Sequence, residues 1–300
     1  MKYLIILADG AADYNIAELD NKTPLQYAQT PNIDKLAKSA DIGLVQTIPQ
    51  GFPPGSDVAN LSVMGFDPSR YYTGRSPLEA VSMGVKLGDR DMSLRCNLVC
   101  LSPEDLYQNK TMQDYSAGEI STEESGKLMA ELQAQLGNDE FSFHAGISYR
   151  HLVVWKNGAD KDLKLTPPHD ISDRVVGEYL PQGRDGSKLL QLMLQSEEIL
   201  KNHPVNRERI EKGQIPATSI WLWGEGRRPS LPTFEEKYGL KGSVVCAVDL
   251  VRGLGICAGL NPVKVAGATG SVETNFAGKA RAALDELKRG QDFVFLHIES

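Results

Sequence analysis

Asp9 stands where a metal-binding or turn-forming carboxylate is expected. It follows the apolar run Lys2–Ala8, which has the length of a buried parallel strand. In open α/β sheets, binding sites gather at the carboxyl ends of the strands. A carboxylate there needs a cation or hydrogen-bond donors to offset its lost hydration. Asp9 could therefore bind a metal, or it could only cap a turn with Gly10.

Ser56 is the second candidate for chemistry. It follows the glycine- and proline-rich segment Gly51–Gly55 and begins a short predicted helix that ends at Gly65. Serine is a favoured N-cap residue, so a purely structural role would explain it. The alternative is a nucleophile whose phosphoryl adduct is stabilised by the helix N-terminus and by a metal. The segment alone leaves both interpretations open.

Arginines inside apolar strands form a third group of candidates. Arg95 and Arg150 each lie in a strand-like run, and His169 and Asp170 stand side by side on a proline-rich loop. Arginine is rarely buried, and its planar fork suits phosphate or carboxylate groups. The alternative is a structural ion pair, for example between Arg150 and Asp170. Gly224 and Gly226 precede Arg227, and the loop Gly267–Gly270 is a weak candidate for an anion cradle.

The composition limits the classes of protein that this chain could represent. Its 300 residues suggest two domains, or one domain with a large insertion. The formal charge of −7 argues against a nucleic-acid partner, although a few local arginines could still hold a phosphorylated substrate. No apolar run is long enough for a membrane span or a signal peptide, so we predict a cytoplasmic protein. The four cysteines lack CxxC spacing and are predicted to be buried thiols. The oligomeric state stays open.

The order of predicted elements indicates an α/β domain that is interrupted by an α+β insertion. The domain is predicted to comprise residues 1–75 and 216–300, and the insertion residues 76–215. The predicted strands are Lys2–Ala8, Asp41–Thr47, Leu94–Leu101, Glu140–His144, Ser148–Trp155, Ser219–Trp223, Ser243–Val248 and Asp292–Ile298. Two helices are predicted from their start signals, at Thr30-Pro31 and at the capping box Ser76–Glu79. Four further helices are predicted over Thr122–Leu136, Gly186–Lys201, Leu250–Ala258 and Asn275–Arg289.

Motifs along the whole chain resemble the archaeal-type, cofactor-independent phosphoglycerate mutases of the alkaline phosphatase superfamily. They are Leu7–Gly10, Thr30–Asp34, Pro53–Asn60, Tyr71–Arg75, Arg95–Leu98, Tyr149–His151, Pro167–Ile171, His203–Asn206, Trp221–Gly224, Val248–Leu250 and Gly267–Gly270. The resemblance implies an alkaline-phosphatase-like, mostly parallel sheet with helices on both faces and a substrate-clasping insertion. The chain departs from the family pattern at Glu119, Arg252 and Glu273, where we expect His, Lys and Asp.

The resemblance also implies a site. Ser56 is the implied nucleophile, and Asp9 and Ser56 are implied ligands of two divalent metal ions (Mn, Zn or Mg). The remaining ligands are expected beyond Ser300, so we expect the C-terminal part of the domain to be missing, the metal site to be incomplete and this chain to be inactive. The predicted substrate-binding residues are Asp57, Asn60, Arg95, Asn97, Arg150, His169, Asp170, Arg227 and Arg252.

The implied reaction interconverts 3-phosphoglycerate and 2-phosphoglycerate through a phosphoserine, with a small phosphorylated acid as the substrate. A homoserine-kinase-like or other small-molecule phosphotransferase is the alternative, followed by a phosphatase. A non-catalytic binding protein of the same fold is the alternative from a different class. The sequence contains no G-x-x-x-x-G-K-[ST] motif, which disfavours a kinase.

Three features of the geometry are predicted. Asp9 and Ser56 should meet at the carboxyl edge of one parallel sheet. Arg95, Arg150 and His169 should converge on a cleft between the insertion and the α/β domain. The run Phe293–Ile298 is apolar enough to be a central strand, buried on both faces.

Overall fold

The structure is a computed structural model that describes residues 1–52, 54–158 and 162–299. Pro53 of the Pro53–Asn60 motif and Ser300 lie outside these ranges. The strands are β1 Tyr3–Asp9, β2 Met92–Leu101, β3 Met112–Asp114, β4 Phe141–Ile147, β5 Arg150–Trp155, β6 Ser219–Gly226, β7 Gly242–Val245, β8 Asn261–Val263 and β9 Phe293–Glu299.

The α-helices are mostly short in the N-terminal part of the chain and longer afterwards. They are α1 Pro24–Tyr27, α2 Pro31–Ala37, α3 Ser56–Val63, α4 Pro68–Tyr71, α5 Ser76–Ser82, α6 Thr122–Leu136, α7 Gly186–Lys201, α8 Pro204–Glu211, α9 Phe234–Tyr238, α10 Asp249–Cys257 and α11 Phe276–Lys288. The helices predicted over Thr122–Leu136 and Gly186–Lys201 are confirmed at both ends. No helix in the described part of the chain is long and apolar enough to cross a membrane.

The chain divides into two compact units. The first unit consists of Met1–Tyr72 and the chain from Ser230 onward, and the second unit of Thr73–Pro229. The first unit contains a four-stranded sheet in the order β1-β9-β7-β8, in which every pair is parallel. Strand β9 is paired on both sides and Phe293–Leu296 is buried, which confirms the prediction of a central strand.

The predicted strand Asp41–Thr47 is wrong. These residues adopt no regular secondary structure, and Ile42, Leu44 and Val45 are almost fully exposed. A strand is defined by its ladder of hydrogen bonds to a neighbour, and the β1-β9-β7-β8 order gives this segment no neighbour. An apolar run alone therefore did not determine a strand here.

The second unit is built on an antiparallel sheet in the order β3-β2-β5-β4, with β6 also paired to β2. Strand β6 thus lies in the antiparallel sheet, whereas the sequence pattern predicted that everything after residue 215 belongs to the α/β domain. The reason is pairing: Asn97 lies opposite Trp221, and Arg95 opposite Trp223. The chain leaves this unit only after β6.

Every residue of β2 is buried, including the polar Arg95 and Asn97. Buried polar groups require partners, because their hydration is lost. The helix α5 beside this strand does not begin with the predicted capping box. Its N-cap is Arg75 without a side-chain hydrogen bond, and the Ser76 hydroxyl instead donates to the carbonyl of Ser93 on β2, 2.7 Å away. Tertiary contact therefore replaced the local cap.

His151 on β5 makes the stability of the fold sensitive to acid. The side chain is buried, and its Nδ1 accepts the Gly146 amide at 3.0 Å. Burial lowers the pKa of His151 to about 3, and the charge of Arg150 acts in the same direction. The unfolded chain binds this proton below about pH 6.5, whereas the folded chain does not until about pH 3. Stability is therefore lost as the pH falls through this window.

We expect His151 to contribute a slope of about 1.4 kcal/mol in the free energy of unfolding for each pH unit between these values. Urea unfolding at several pH values between 7 and 4 measures the slope. The variant His151→Asn keeps an acceptor for Gly146 but does not titrate, so it should show a shallower dependence. Identical slopes in the two proteins would contradict this assignment.

Candidate active site

The carboxyl end of the parallel sheet collects three possible metal ligands. Strands β1 and β9 run in register, with Leu7 opposite His297 and Asp9 opposite Glu299. Side chains two residues apart on a strand point to the same face. His297, Glu299 and Asp9 therefore share one face, and one ligand atom from each lies within 4.8 Å of the others.

The buried imidazole of His297 connects the two carboxylates. Its Nε2 lies 3.1 Å from Oδ2 of Asp9 and 3.4 Å from Oε2 of Glu299. Carboxylates only accept hydrogen bonds, so Nε2 must be the donor. The Nδ1 atom is buried and has no hydrogen-bond partner in the described part of the chain. A buried nitrogen without a hydrogen-bond partner indicates that a further ligand binds there or that the imidazole has a functional role.

The donor set suits a divalent cation. Carboxylate oxygens and imidazole nitrogens bind Zn²⁺ and Mn²⁺, and carboxylates also bind Mg²⁺. Two carboxylates that converge on one buried imidazole are a costly arrangement, because their negative charges repel each other and the imidazole has lost its hydration. A divalent ion between them would offset both costs. The cluster therefore fits a metal ion.

Ser56 is the first residue of helix α3, and Gly55 rather than Ser56 is the N-cap. The N-cap interpretation of Ser56 is thus wrong. Its hydroxyl makes no hydrogen bond within the described residues, which leaves it available for chemistry. A Cβ at Gly55 would lie 2.5 Å from the Oδ1 atom of Asp57, so a larger residue at this position would displace the Asp57 carboxylate.

Asn60 places Ser56 and Asp9 side by side. One turn after Ser56 on α3, its Nδ2 donates to the Ser56 carbonyl at 2.8 Å and to Oδ2 of Asp9 at 3.3 Å. The side chain is 1% exposed, and its Oδ1 atom is buried without a partner in the described structure. Asp57 is also buried and accepts a hydrogen bond of 2.7 Å from the Tyr72 hydroxyl. The start of α3 is thereby held against the carboxyl end of β1.

The second unit contains its own polar network, centred on Arg95. Its Nε lies 2.9 Å from Oε2 of Glu79, and its guanidinium stacks on the Trp223 ring, 4.2 Å from the centroid. Burial lowers the pKa of the Arg95 guanidinium, and the Glu79 carboxylate opposes that shift. Trp223 Nε1 donates to Oδ1 of Asn97 at 2.9 Å. Arg95 and Asn97 therefore belong to one network around Trp223.

The rings of Trp223, Tyr115 and Tyr149 form an aromatic cluster that extends this network, with His169 between Trp223 and Tyr115. His169 packs edge-on against Trp223 and Tyr115, with centroids 5.2 and 6.1 Å away. Tyr115 meets Tyr149 edge-on at 5.9 Å, and the exposed Arg150 guanidinium lies over the Tyr149 ring at 4.7 Å. The predicted residues joined through the aromatic cluster within the second unit are Arg95, Asn97, Arg150 and His169.

Three predicted substrate-binding residues have other contacts. Asp170 lies beside His169, with 3.6 Å between Oδ1 and Nε2. Arg227 donates to the carbonyls of Arg90 and Gly158, which is a structural use of the guanidinium. Arg252 on α10 lies in the first unit, with its Nη1 atom 3.6 Å from Oδ1 of Asp249.

Two potential ligands, His297 and Glu299, were missed by sequence reasoning. The signal that could have found them is the alternation His297-Ile298-Glu299 at the end of an apolar strand, which places two ligand types on one face. Tyr115 and Tyr149 of the aromatic cluster were also missed. Tyr149 belongs to the motif Tyr149–His151, but the sequence assigns neither tyrosine a role, because their contacts join distant segments.

Known proteins with similar sequences match this chain over its whole length. The family model described as 2,3-bisphosphoglycerate-independent phosphoglycerate mutase matches residues 37–206. A Geobacter sulfurreducens protein described as a probable 2,3-bisphosphoglycerate-independent phosphoglycerate mutase is 52% identical over 300 residues, which are 100% of this chain and 74% of the relative. The Methanosarcina barkeri 2,3-bisphosphoglycerate-independent phosphoglycerate mutase is 49% identical, with the same coverage.

Two solved structures have the same fold. A protein from Pyrococcus horikoshii superposes with a TM-score of 0.79 at 30% identity, covering 99% of this chain and 70% of that one. The cofactor-independent phosphoglycerate mutase from Thermoplasma acidophilum gives a TM-score of 0.62 at 27% identity, covering 100% and 77%.

The mostly parallel sheet, the serine at the start of a helix and the neighbouring Asp–His–Glu cluster point to the class of phosphoryl-transfer enzymes. Within that class, this chain belongs to the family of 2,3-bisphosphoglycerate-independent phosphoglycerate mutases. The resemblance found in the sequence motifs is thereby confirmed.

Proposed function

We propose that this protein interconverts 3-phosphoglycerate and 2-phosphoglycerate through a phosphoserine at Ser56, in the cytoplasm and without a phosphorylated sugar-acid cofactor. The observation that carries the proposal is the placement of Ser56. Its hydroxyl begins α3, and Asn60 bonds both the Ser56 carbonyl and the Asp9 carboxylate of the ligand cluster. The contacts of Asn60 support a nucleophilic role for Ser56 next to the Asp9–His297–Glu299 cluster.

Asp9, His297 and Glu299 are the residues of this chain that would hold a divalent ion, and Ser56 is a further candidate ligand. We propose two divalent ions in the active enzyme, chosen from Mn²⁺, Zn²⁺ and Mg²⁺. Divalent metal ions in such sites lower the proton affinity of a bound hydroxyl and stabilise negative charge on the phosphoryl oxygens.

The first half-reaction is phosphoryl transfer to the enzyme. Ser56 Oγ loses its proton and bonds to the phosphorus of 3-phosphoglycerate, the bond between phosphorus and the 3-oxygen breaks, and that oxygen takes up a proton. Because Ser56 is at the first position of α3, the phosphoserine lies at a helix N-terminus, where free N–H groups and the helix dipole favour an anion.

The second half-reaction returns the phosphoryl group to the other hydroxyl of glycerate. The 2-oxygen loses its proton and bonds to phosphorus, and Ser56 Oγ leaves and is reprotonated. Glycerate must reorient between these steps without escaping. We assign Arg95 and Arg150 to hold its carboxylate, because a guanidinium presents two parallel donors to such a group. Stacking on Trp223 and Tyr149 keeps both guanidinium groups oriented.

A coupled assay tests the proposed function. The full-length gene product is incubated with Mn²⁺ and 3-phosphoglycerate in the absence of 2,3-bisphosphoglycerate, and 2-phosphoglycerate is followed with enolase. We expect turnover that EDTA abolishes and Mn²⁺ restores. Release of inorganic phosphate in place of 2-phosphoglycerate would show a phosphatase, and the absence of both products with a fully metal-loaded protein would refute the proposal.

A further inference from the structure

A run of unusual backbone conformations precedes helix α6. Ala117, Gly118 and Glu119 are consecutive and all have positive φ, at 49°, 66° and 52°. Residues that carry a Cβ rarely adopt this region, and Ala117 is moreover fully buried. Such conformations persist only where the surroundings enforce them, and they cluster at functional sites. We call residues 115–119 the Tyr115 loop.

Arg209 on α8 binds the Tyr115 loop and the segments next to it through hydrogen bonds. Its Nη2 donates to the Ala117 carbonyl at 2.8 Å, its Nη1 to Oε2 of Glu124 at 2.9 Å, and its Nε to the Ile215 carbonyl at 2.9 Å. The side chain is 3% exposed. Three donors of one rigid fork are thus fixed from three directions, and one of them holds the loop at the start of its left-handed run.

The other end of the loop belongs to the aromatic cluster of the second unit. The Tyr115 carbonyl accepts a hydrogen bond of 3.0 Å from Nδ2 of Asn97, whose Oδ1 accepts from Trp223. The Tyr115 ring contacts Tyr149 and His169. Displacement of the Tyr115 loop would therefore move the Tyr115 ring, which contacts both Tyr149 and His169.

The hairpin that carries Tyr149 is attached to the same segment. Ser148, which also has a positive φ of 55°, donates from its hydroxyl to the Ile120 carbonyl at 2.8 Å. Its amide donates to the Thr122 hydroxyl at 3.1 Å. The chain on both sides of Ile120 therefore sets the position of both tyrosines.

We propose that Arg209 is a positioning residue for substrate binding: it holds the Tyr115 loop in its left-handed conformation and so fixes the tyrosines on which Arg150 and His169 rest. The inference depends on the proposed function, because it assigns the aromatic cluster to the phosphorylated acid. Among the described residues, the Tyr115 loop is the connection between Arg209 and the aromatic cluster. Arg209 would increase the affinity for substrate by keeping the loop in the conformation that binds it. The apparent affinity falls in proportion to the fraction of molecules in that conformation.

The variant Arg209→Lys tests this inference. Lysine keeps the charge near Glu124 but cannot reach three acceptors as a planar fork. We expect hydrogen–deuterium exchange of residues 115–119 to accelerate about tenfold and the Kd of 3-phosphoglycerate, measured by calorimetry with Mn²⁺ present, to rise about tenfold. The Mn²⁺ affinity of the protein should not change.

Lys110→Met is the matched control. Lys110 is also buried, with its Nζ 2.9 Å from Oε1 of Glu197 and 3.2 Å from the Ser102 carbonyl, and neither partner lies in the Tyr115 loop. It should lower the stability without changing the Kd of 3-phosphoglycerate. Unchanged exchange of the loop in Arg209→Lys, or faster exchange with an unchanged Kd, would overturn the inference alone. A wild-type protein that does not bind 3-phosphoglycerate would overturn the proposed function and this inference together.

Discussion

Replacement of Ser56 by Ala is expected to lower the rate of phosphoglycerate interconversion by at least about 10⁴-fold, which is the scale of effect when a covalent nucleophile is removed. Ser56 is the first residue of α3, and Asn60 links the Ser56 carbonyl to the Asp9 carboxylate. The loss should fall on kcat, because the residues of the second unit that we propose to bind the substrate are unchanged. The coupled assay measures the rate, and mass spectrometry of the wild type trapped with substrate should place a phosphate on Ser56.

Ser62→Ala is the matched control for this experiment. Ser62 lies on the same helix, is partly buried like Ser56, and its removal deletes the same hydroxyl group. We expect Ser62→Ala to keep nearly full activity and the normal thermal stability. Activity of Ser56→Ala within tenfold of the wild type, or a phosphate mapped to another serine, would show that Ser56 is not the nucleophile.

Asp9→Asn is expected to weaken the binding of Mn²⁺ by at least about 100-fold, as expected for loss of a charged ligand. The amide has the shape of the carboxylate but no negative charge, so the hydrogen bonds around Asp9 can largely be kept while the attraction for a cation is lost. Calorimetric titration of the metal-free protein measures the affinity. Inductively coupled plasma mass spectrometry measures the metal that remains after gel filtration.

Three further variants sharpen this test. Asp34→Asn removes an exposed carboxylate of the same unit, whose partner is the Thr30 hydroxyl, and should leave Mn²⁺ binding unchanged. His297→Gln and Glu299→Gln should each weaken the binding if the three residues form one site. Wild-type affinity in Asp9→Asn would refute the metal site. Loss in Asp9→Asn alone would remove His297 and Glu299 from the ligand set.

Local sequence signals predicted the long helices of the second unit well. Helix α6 begins after Ser121, whose hydroxyl accepts from the Glu124 amide while the Glu124 side chain accepts from the Ser121 amide. Such a start depends only on residues within one turn, and the apolar spacing then continues the helix to Leu136. Helix α11 of the first unit likewise begins after Asn275, which caps the Gly278 amide.

The predictions were wrong where a segment could form hydrogen bonds either with neighbouring residues or with distant ones. Ser76 was expected to cap its own helix, but its hydroxyl bonds to Ser93 on β2. The apolar segment Asp41–Thr47 was expected to be a strand, but no strand of the parallel sheet pairs with it. Strand β6 was expected in the α/β domain, yet it pairs with β2. In each case the set of distant contacts outweighed the local preference.

The family, the nucleophile candidate and the carboxylate of β1 could be inferred from the residues alone, because they lie in short contiguous motifs such as Leu7–Gly10 and Gly55–Asn60. The fold brings His297 into contact with Asp9, a residue 288 positions away. It likewise decided that the Tyr115 loop is held by Arg209, 92 positions from its partner Ala117. The physical reason is that strand register and side-chain packing depend on the whole set of competing contacts, whereas a cap or a helical stripe depends on one turn of chain.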